Sequence, residues 1–200
     1  HGRKPRIASL PKGSVPDTVL RHWLIRVAGL KESDIDIVGM GAGALQKAML
    51  NGSVDGAMVF EPVRTEIRRR VTGTQIVANA RQMLPKQPGA VLAVNEKTIA
   101  KNRDAIVKLV ALHARATAFI RTEPKRAALT VHTFLGNRKV RHDTIEAALL
   151  SSLRNYVADP RLIVASTKVM HNFSARIGTL ANPVPLNELF DLSLYAAAQN

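Results

Sequence analysis

Apolar positions along the first hundred residues follow two alternating periods. Short runs rich in Ile, Val and Ala occupy Arg6-Ile7-Ala8-Ser9-Leu10, Asp36-Ile37-Val38-Gly39-Met40, Asp55-Gly56-Ala57-Met58-Val59-Phe60 and Thr74-Gln75-Ile76-Val77-Ala78. Runs of this length, bounded by Gly, Pro and Asn, read as strands. Between them the spacing changes to three and four. From Pro16 to Ala28 the residues Val19, Leu20, Trp23, Leu24 and Val27 fall on one helical face. Ser14 or Asp17 can cap this helix, Pro16 suits its first turn and Gly29 stops it. Shorter helices are predicted from Ala44 to Leu50, ending at Asn51-Gly52, and from Pro62 to about Val71, ended by Thr72-Gly73. Strands alternating with helices imply βαβ units and a mostly parallel sheet. Residues 1–88 therefore read as an α/β lobe.

The second half has another pattern. Gly89-Ala90-Val91-Leu92-Ala93-Val94-Asn95 is one more predicted strand, and beyond it the spacing is helical. Asp104 to Arg121 carries a broad apolar face with Ile106, Val107, Leu109, Val110, Leu112, Ala116, Phe119 and Ile120. Further helices are expected from Lys125 to Leu135, stopped by Gly136-Asn137, and from His142 to Leu153. Two more are expected within Pro160–Asn182 and from Leu186 to Ala198.

Charge and composition narrow the function. The 200 residues hold 29 Lys and Arg against 15 Asp and Glu, a formal charge of +14. The excess is even: 15 basic and 8 acidic residues in the first hundred, 14 and 7 in the second. Arg68-Arg69-Arg70, with Arg64 one turn earlier, forms the densest cluster. It reads either as a phosphate-contacting patch or as a solvated helix face. Five Phe, two Tyr and one Trp are too few for an interleaved stacking surface, so nucleic acid is not an expected partner. The absence of cysteine excludes disulfides, thiol nucleophiles and Cys-based zinc sites. No apolar run approaches the roughly 18 residues of a membrane span. The basic opening, His1 to Leu10, has no apolar core of a leader, so export implies a leader outside this chain.

In an open parallel sheet, ligands meet the loops at the carboxyl ends of the strands. Three such loops are visible. The first holds Lys12, Gly13, Ser14 and Val15, where glycine allows close approach and the next helix offers N–H groups. It suits a carboxylate, sulfonate or phosphate, or else Ser14 simply caps the helix. Both readings stand. The second loop holds Gly41, Ala42 and Gly43, without a completed GxGxxG, since Gln46 stands where the third glycine belongs. The third holds Phe60 and Glu61: a carboxylate that can accept from a ligand amine or hydroxyl, beside an aromatic ring.

No catalytic centre emerges. His1, His22, His113, His132, His142 and His171 are scattered, with no HExxH and no i,i+4 pair. His113, within the long apolar helix, reads as a core or lobe-interface residue. Ser151 and Ser152 lack a GxSxG context, and no Walker A loop exists. No catalytic residue, metal site or cofactor is expected.

The run Gly2-Arg3-Lys4-Pro5-Arg6-Ile7-Ala8-Ser9-Leu10-Pro11-Lys12-Gly13-Ser14 resembles the GKKIAVPxGS opening of a strand in substrate-binding proteins of ABC importers. These are the proteins of the aliphatic sulfonate, nitrate and taurine type, including binders of thiamine pyrimidine precursors. Further pieces match in order. They are Val27 to Leu30 with Asp34 to Val38, Ala44 to Ala57 (ALLAGQVDAA in the family), Val59-Phe60-Glu61-Pro62 (VWEP), Leu84 to Val94, and Ile120 to Ala128. The resemblance implies a type II periplasmic-binding-protein-like fold, α/β with a mostly parallel sheet, followed by a helical C-terminal region. Residues 1–88 would be its second lobe, 89–95 a hinge or crossover strand, and 96–200 a helical region returning to a first lobe whose strands are absent.

It also implies a non-enzymatic solute-binding protein, periplasmic or extracellular, with a membrane anchor as the alternative to a free form. Its partners would be a small-molecule ligand, a membrane permease and, for the missing lobe, a possible partner chain. The matching positions assign ligand contact to Gly13, Ser14 and Val15, to Gly41 and Ala42, and to Phe60 and Glu61. Phe60 stands where the family usually has Trp. The alternatives are an enzyme of the same fold acting on a pyrimidine or menaquinone precursor, with Glu61 and a distant His, and a ligand-sensing domain of a regulator.

Overall fold

The alternation of apolar residues along β1 (Arg6–Ser9) organises the first part of the molecule. Ile7 packs to one side of the strand and Ala8 to the other, so both faces carry core. A strand buried on both faces is what a parallel sheet between helix layers requires. The computed structural model describes residues 2–136 and 140–199; His1, and Asn137 of the expected Gly136-Asn137 stop, lie outside them.

The elements that follow β1 are α1 (Val15–His22), β2 (Asp36–Gly39), α2 (Ala42–Leu50), β3 (Gly56–Ala57), α3 (Val63–Arg70) and α4 (Ala80–Met83). After these come α5 (Glu96–Lys101), α6 (Arg103–Thr122), α7 (Pro124–Phe134), α8 (His142–Ser152), α9 (Val164–Arg176) and α10 (Leu192–Ala197). The chain forms two compact units. One runs to Gln87 and adds Ser166–Pro183; the other comprises Pro88–Ala165 and the stretch from Val184 on.

In the first unit the sheet is wholly parallel, in the order β2-β1-β3, with Arg6 opposite Asp36, Ser9 opposite Gly39 and Ala8 opposite Ala57. One face carries Val19 and Leu20 of α1 and Leu24 just beyond it with Met83, Leu84 and Met170. The other carries Leu45 and Ala48 of α2, Val54 and Ile67 of α3 around Ala8. The predicted helix over 16–28 is present, but beyond His22 it widens into a π-helical turn, Trp23–Val27, in which Ala28 N–H donates to Trp23 O at 2.9 Å.

In this unit two strand expectations change. The run 55–60 is strand only at Gly56–Ala57, flanked by Asp55 N–H to Arg6 O and Met58 N–H to Ala8 O, each 2.8 Å. The ladder stops there because β1 itself ends at Ser9 and Pro11 turns the chain away. Thr74–Ala78 is not a strand. No strand lies beside it among the described residues, and Val77 is 82% exposed.

The second unit is helical. Ala127, Ala128, Ile145 and Leu149 of α7 and α8 form its core, with Phe119, Ile120, Val131 and Leu135 against them. Arg103 of α6 reaches α10 through Ser193 Oγ at 2.7 Å and Asp191 at 3.6 Å. The run 89–95 is coil rather than strand: β-branched composition alone does not make one, and Val91 and Leu92 are exposed with no strand paired to them among the described residues. The long helix is also less buried than its pattern predicts. Ile106 is its one fully buried apolar residue, while Leu109, Leu112 and His113 are exposed, so His113 is not a core histidine of this unit.

Candidate functional site

Because β1, β2 and β3 run parallel, their three carboxyl-terminal loops meet at one edge of the sheet. Leu10 from the first loop, Ala42 at the start of α2 and Phe60 from the third surround a small depression. Leu45, Val59 and Val63 complete its lining, and the closed packing leaves it too shallow to hold a molecule the size of water. Its walls are wholly apolar, and Phe60, 47% exposed, stands at its rim. Among the sequence-predicted residues the structure thus brings Ala42 and Phe60 together. Gly13, Ser14, Val15, Gly41 and Glu61 sit on the same three loops without lining the depression.

The first loop is a closed hydrogen-bonded unit. Gly13 adopts φ +85°, a left-handed conformation that glycine takes without strain, and its Cα faces Thr179. Ser14 is the N-cap of α1, its Oγ accepting from Asp17 N–H at 3.4 Å. Asp17, 1% exposed, accepts the Gly13 N–H on Oδ2 at 2.9 Å and Arg21 Nε on Oδ1 at 2.9 Å. Arg21, also buried, pairs further with Glu32. Both capping residues expected from the sequence are therefore engaged. The Asp17–Arg21 pair was missed as a feature of the site, although its i,i+4 spacing is written in the sequence.

The third loop is held from within α3. Thr65 donates its N–H and Oγ1 to Glu61 Oε2, at 3.1 and 2.8 Å, and Arg64 pairs with Oε1. The Glu61 carboxylate thus serves the first turn of its own helix, a role that its place before Pro62 can signal. The lining contributions of Leu10, Leu45, Val59 and Val63 carried no separate sequence signal, since each is an ordinary core position.

Away from this edge the titratable groups are dispersed. The His22 ring lies edge-on to Phe173 at 5.3 Å, and burial, with Arg26 nearby, lowers its pKa. His132 and His142 meet edge-to-face at 5.6 Å beside Arg141 and Asp143, which bond each other at 2.9 and 3.1 Å. Among the described residues no group of three or more His, Asp or Glu is placed to hold a metal ion, and no helix is long and apolar enough to cross a membrane.

A sheet-edge depression of this kind occurs on many α/β folds, and comparison with known proteins decides among them. The NMT1-like family matches residues 1–134. The chain belongs to the NMT1-like family. That family lies within the periplasmic binding protein superfamily, and the small parallel sheet is compatible with part of such a domain. Proteins of Brucella abortus, Brucella suis and Brucella melitensis, each named “putative binding protein”, are 26% identical over 143 residues. That stretch covers 70% of this chain and 44% of each relative, so the chain spans less than half the length of the curated relatives it matches. Residues 1–134, which match the family, contain all three strand-end loops.

Proposed function

We propose that this chain carries one ligand face of the solute-binding component of an ABC importer, and that the ligand docks at the carboxyl edge of the β2-β1-β3 sheet. The observation that carries this reading is the convergence of Leu10, Ala42 and Phe60 on one apolar depression beside the glycine-containing loops. Small-molecule sites are concave and mostly apolar, with a few polar groups at the rim. Here the rim comprises the loops of Gly13, Ser14 and Val15, of Gly41, and of Glu61. In this reading residues 1–88 form a lobe, 89–95 a hinge segment, and the opposing face belongs to the part of the relatives that this chain does not match, or to a partner chain. The ligand is a small organic or inorganic solute of the sulfonate, nitrate, taurine or pyrimidine-precursor classes. Delivery is to a membrane permease from the periplasm or the extracellular side.

A thermal-shift screen of the full-length natural protein with those four classes tests the placement. One class should raise the unfolding temperature of the wild type. Ala42→Trp, which fills the depression from its rim, should abolish that rise while leaving the far-ultraviolet circular dichroism unchanged. An undiminished rise in Ala42→Trp would remove the site from this edge.

A further inference from the structure

We infer that His132 and His142 form a two-histidine site for a late first-row divalent metal ion, such as Zn²⁺ or Ni²⁺, in the helical unit. His132 lies in the last turn of α7 and His142 is the first residue of α8. Packing of Ala127 and Ala128 against Ile145 and Leu149 holds these two helices together, and with them the two rings. The ring centres are 5.6 Å apart, with the planes at 78°. Both histidines, with Arg141 and Asp143, line an open depression of about 420 Å³, so an ion carrying its own waters can reach them from solvent.

A neutral imidazole carries one nitrogen lone pair, which serves a hydrogen bond or a metal. Among the described residues neither ring has a hydrogen-bond or ion-pair partner. Their charged neighbours do: Arg141 Nε and Nη2 donate to the Asp143 carboxylate at 3.1 and 2.9 Å. The guanidinium charge beside the rings is thereby balanced, and the two imidazoles are left facing each other.

The spacing suits a shared ion. With metal–nitrogen bonds of about 2.1 Å, an ion lies about 3.2 Å from each ring centre, and centres 5.6 Å apart subtend about 120° at it. The rings now stand edge to face, and the terminal torsion of histidine is broad enough to turn both nitrogens onto one point. No third imidazole or carboxylate is placed to join them among the described residues, so water fills the remaining positions. Imidazole ligation favours Zn²⁺, Ni²⁺ and Cu²⁺ over Mg²⁺ and Ca²⁺, which take oxygen ligands. The bound ion ties the end of α7 to the start of α8 and stabilises the folded chain by mass action.

Calorimetric titration of the untagged full-length natural protein with ZnCl₂, in a non-chelating buffer, tests the site. The wild type should take up one ion per chain more than His132→Ala or His142→Ala, and its unfolding temperature should rise with ZnCl₂ in a way that EDTA reverses. His132→Gln, which keeps a polar side chain of similar size, should lose the same ion, its affinity there falling more than about tenfold. His113→Ala, at an exposed position of α6, should leave uptake unchanged. Circular dichroism verifies the fold of each variant. Equal uptake by the wild type and either His132 or His142 variant, whether of some ions or of none, would overturn the site, as would MgCl₂ competing at equal concentration. Solute capture at the sheet edge is untouched by either result.

Discussion

At the N-terminus of α1, Ser14 and Asp17 divide the capping between them, the hydroxyl taking the Asp17 N–H and the carboxylate reaching back to Gly13. A preference for Ser and Asp in such places is visible in any sequence. Which donors they occupy is not, because it depends on the φ of Gly13 and the turn at Pro11. The seat for an anion and the plain helix cap were both open on sequence grounds, and the hydrogen bonds show the cap. His22, eight residues further on, gives the residue-scale prediction. Burial lowers its pKa from the ordinary 6.5, with Arg26 adding to the effect, so the fold holds the neutral ring and the unfolded chain takes up the proton first. The contribution of His22 is therefore complete above pH 6.5 and is lost as pH falls from 6.5 through the lowered folded value. Urea midpoints measured from pH 7.5 to 5 should fall more steeply for the wild type than for His22→Gln. Parallel curves would show that the ring does not feel its burial against Phe173.

Among the elements, helices were more legible than strands for a physical reason. The face formed by Val19, Leu20 and Leu24 is local, and the same spacing that predicts α1 also buries it. Strands need a partner supplied from elsewhere in the chain. Arg6–Ser9 has one on each side and forms; Thr74–Ala78 and Gly89–Asn95 have the same β-rich composition without such partners and stay irregular. The three strand-end loops were legible because strand and helix alternate around them. The depression was not, because Leu10, Leu45 and Val63 lie far apart in sequence and meet only when the sheet order is known. Burial sets the energies at this scale. Leu45 of α2 is 2% exposed against Ala8 of β1, whereas Leu109 of α6 is 41% exposed. Leu45→Ala should cost about 3 kcal/mol in urea unfolding and Leu109→Ala less than about 1 kcal/mol. Equal costs would mean that the α2 layer does not pack the sheet as described.

For the molecule as a whole, the charge of +14 sets the long-range field and leaves the site chemistry to local groups. Much of the acidic complement is committed to arginine: Asp17, Asp36, Asp55, Glu61, Glu123, Asp143, Asp159 and Asp191 all sit in ion pairs. The Arg3 guanidinium, bonding Asp55 at 2.6 and 2.8 Å, draws that carboxyl down to about 2. The remaining cations attract anions to the surface generally, which is a reason to expect salt-sensitive background binding distinct from ligand capture. In the proposed function, capture happens at the carboxyl edge of the parallel sheet. Hydrogen exchange followed by mass spectrometry, on the full-length natural protein with and without the tightest solute found, tests it most directly. The account predicts slowed exchange in the segments 10–15, 40–44 and 58–62, with α7 and α8 unchanged. Protection confined to α7 and α8, with no slowing at the three strand-end loops, would contradict it.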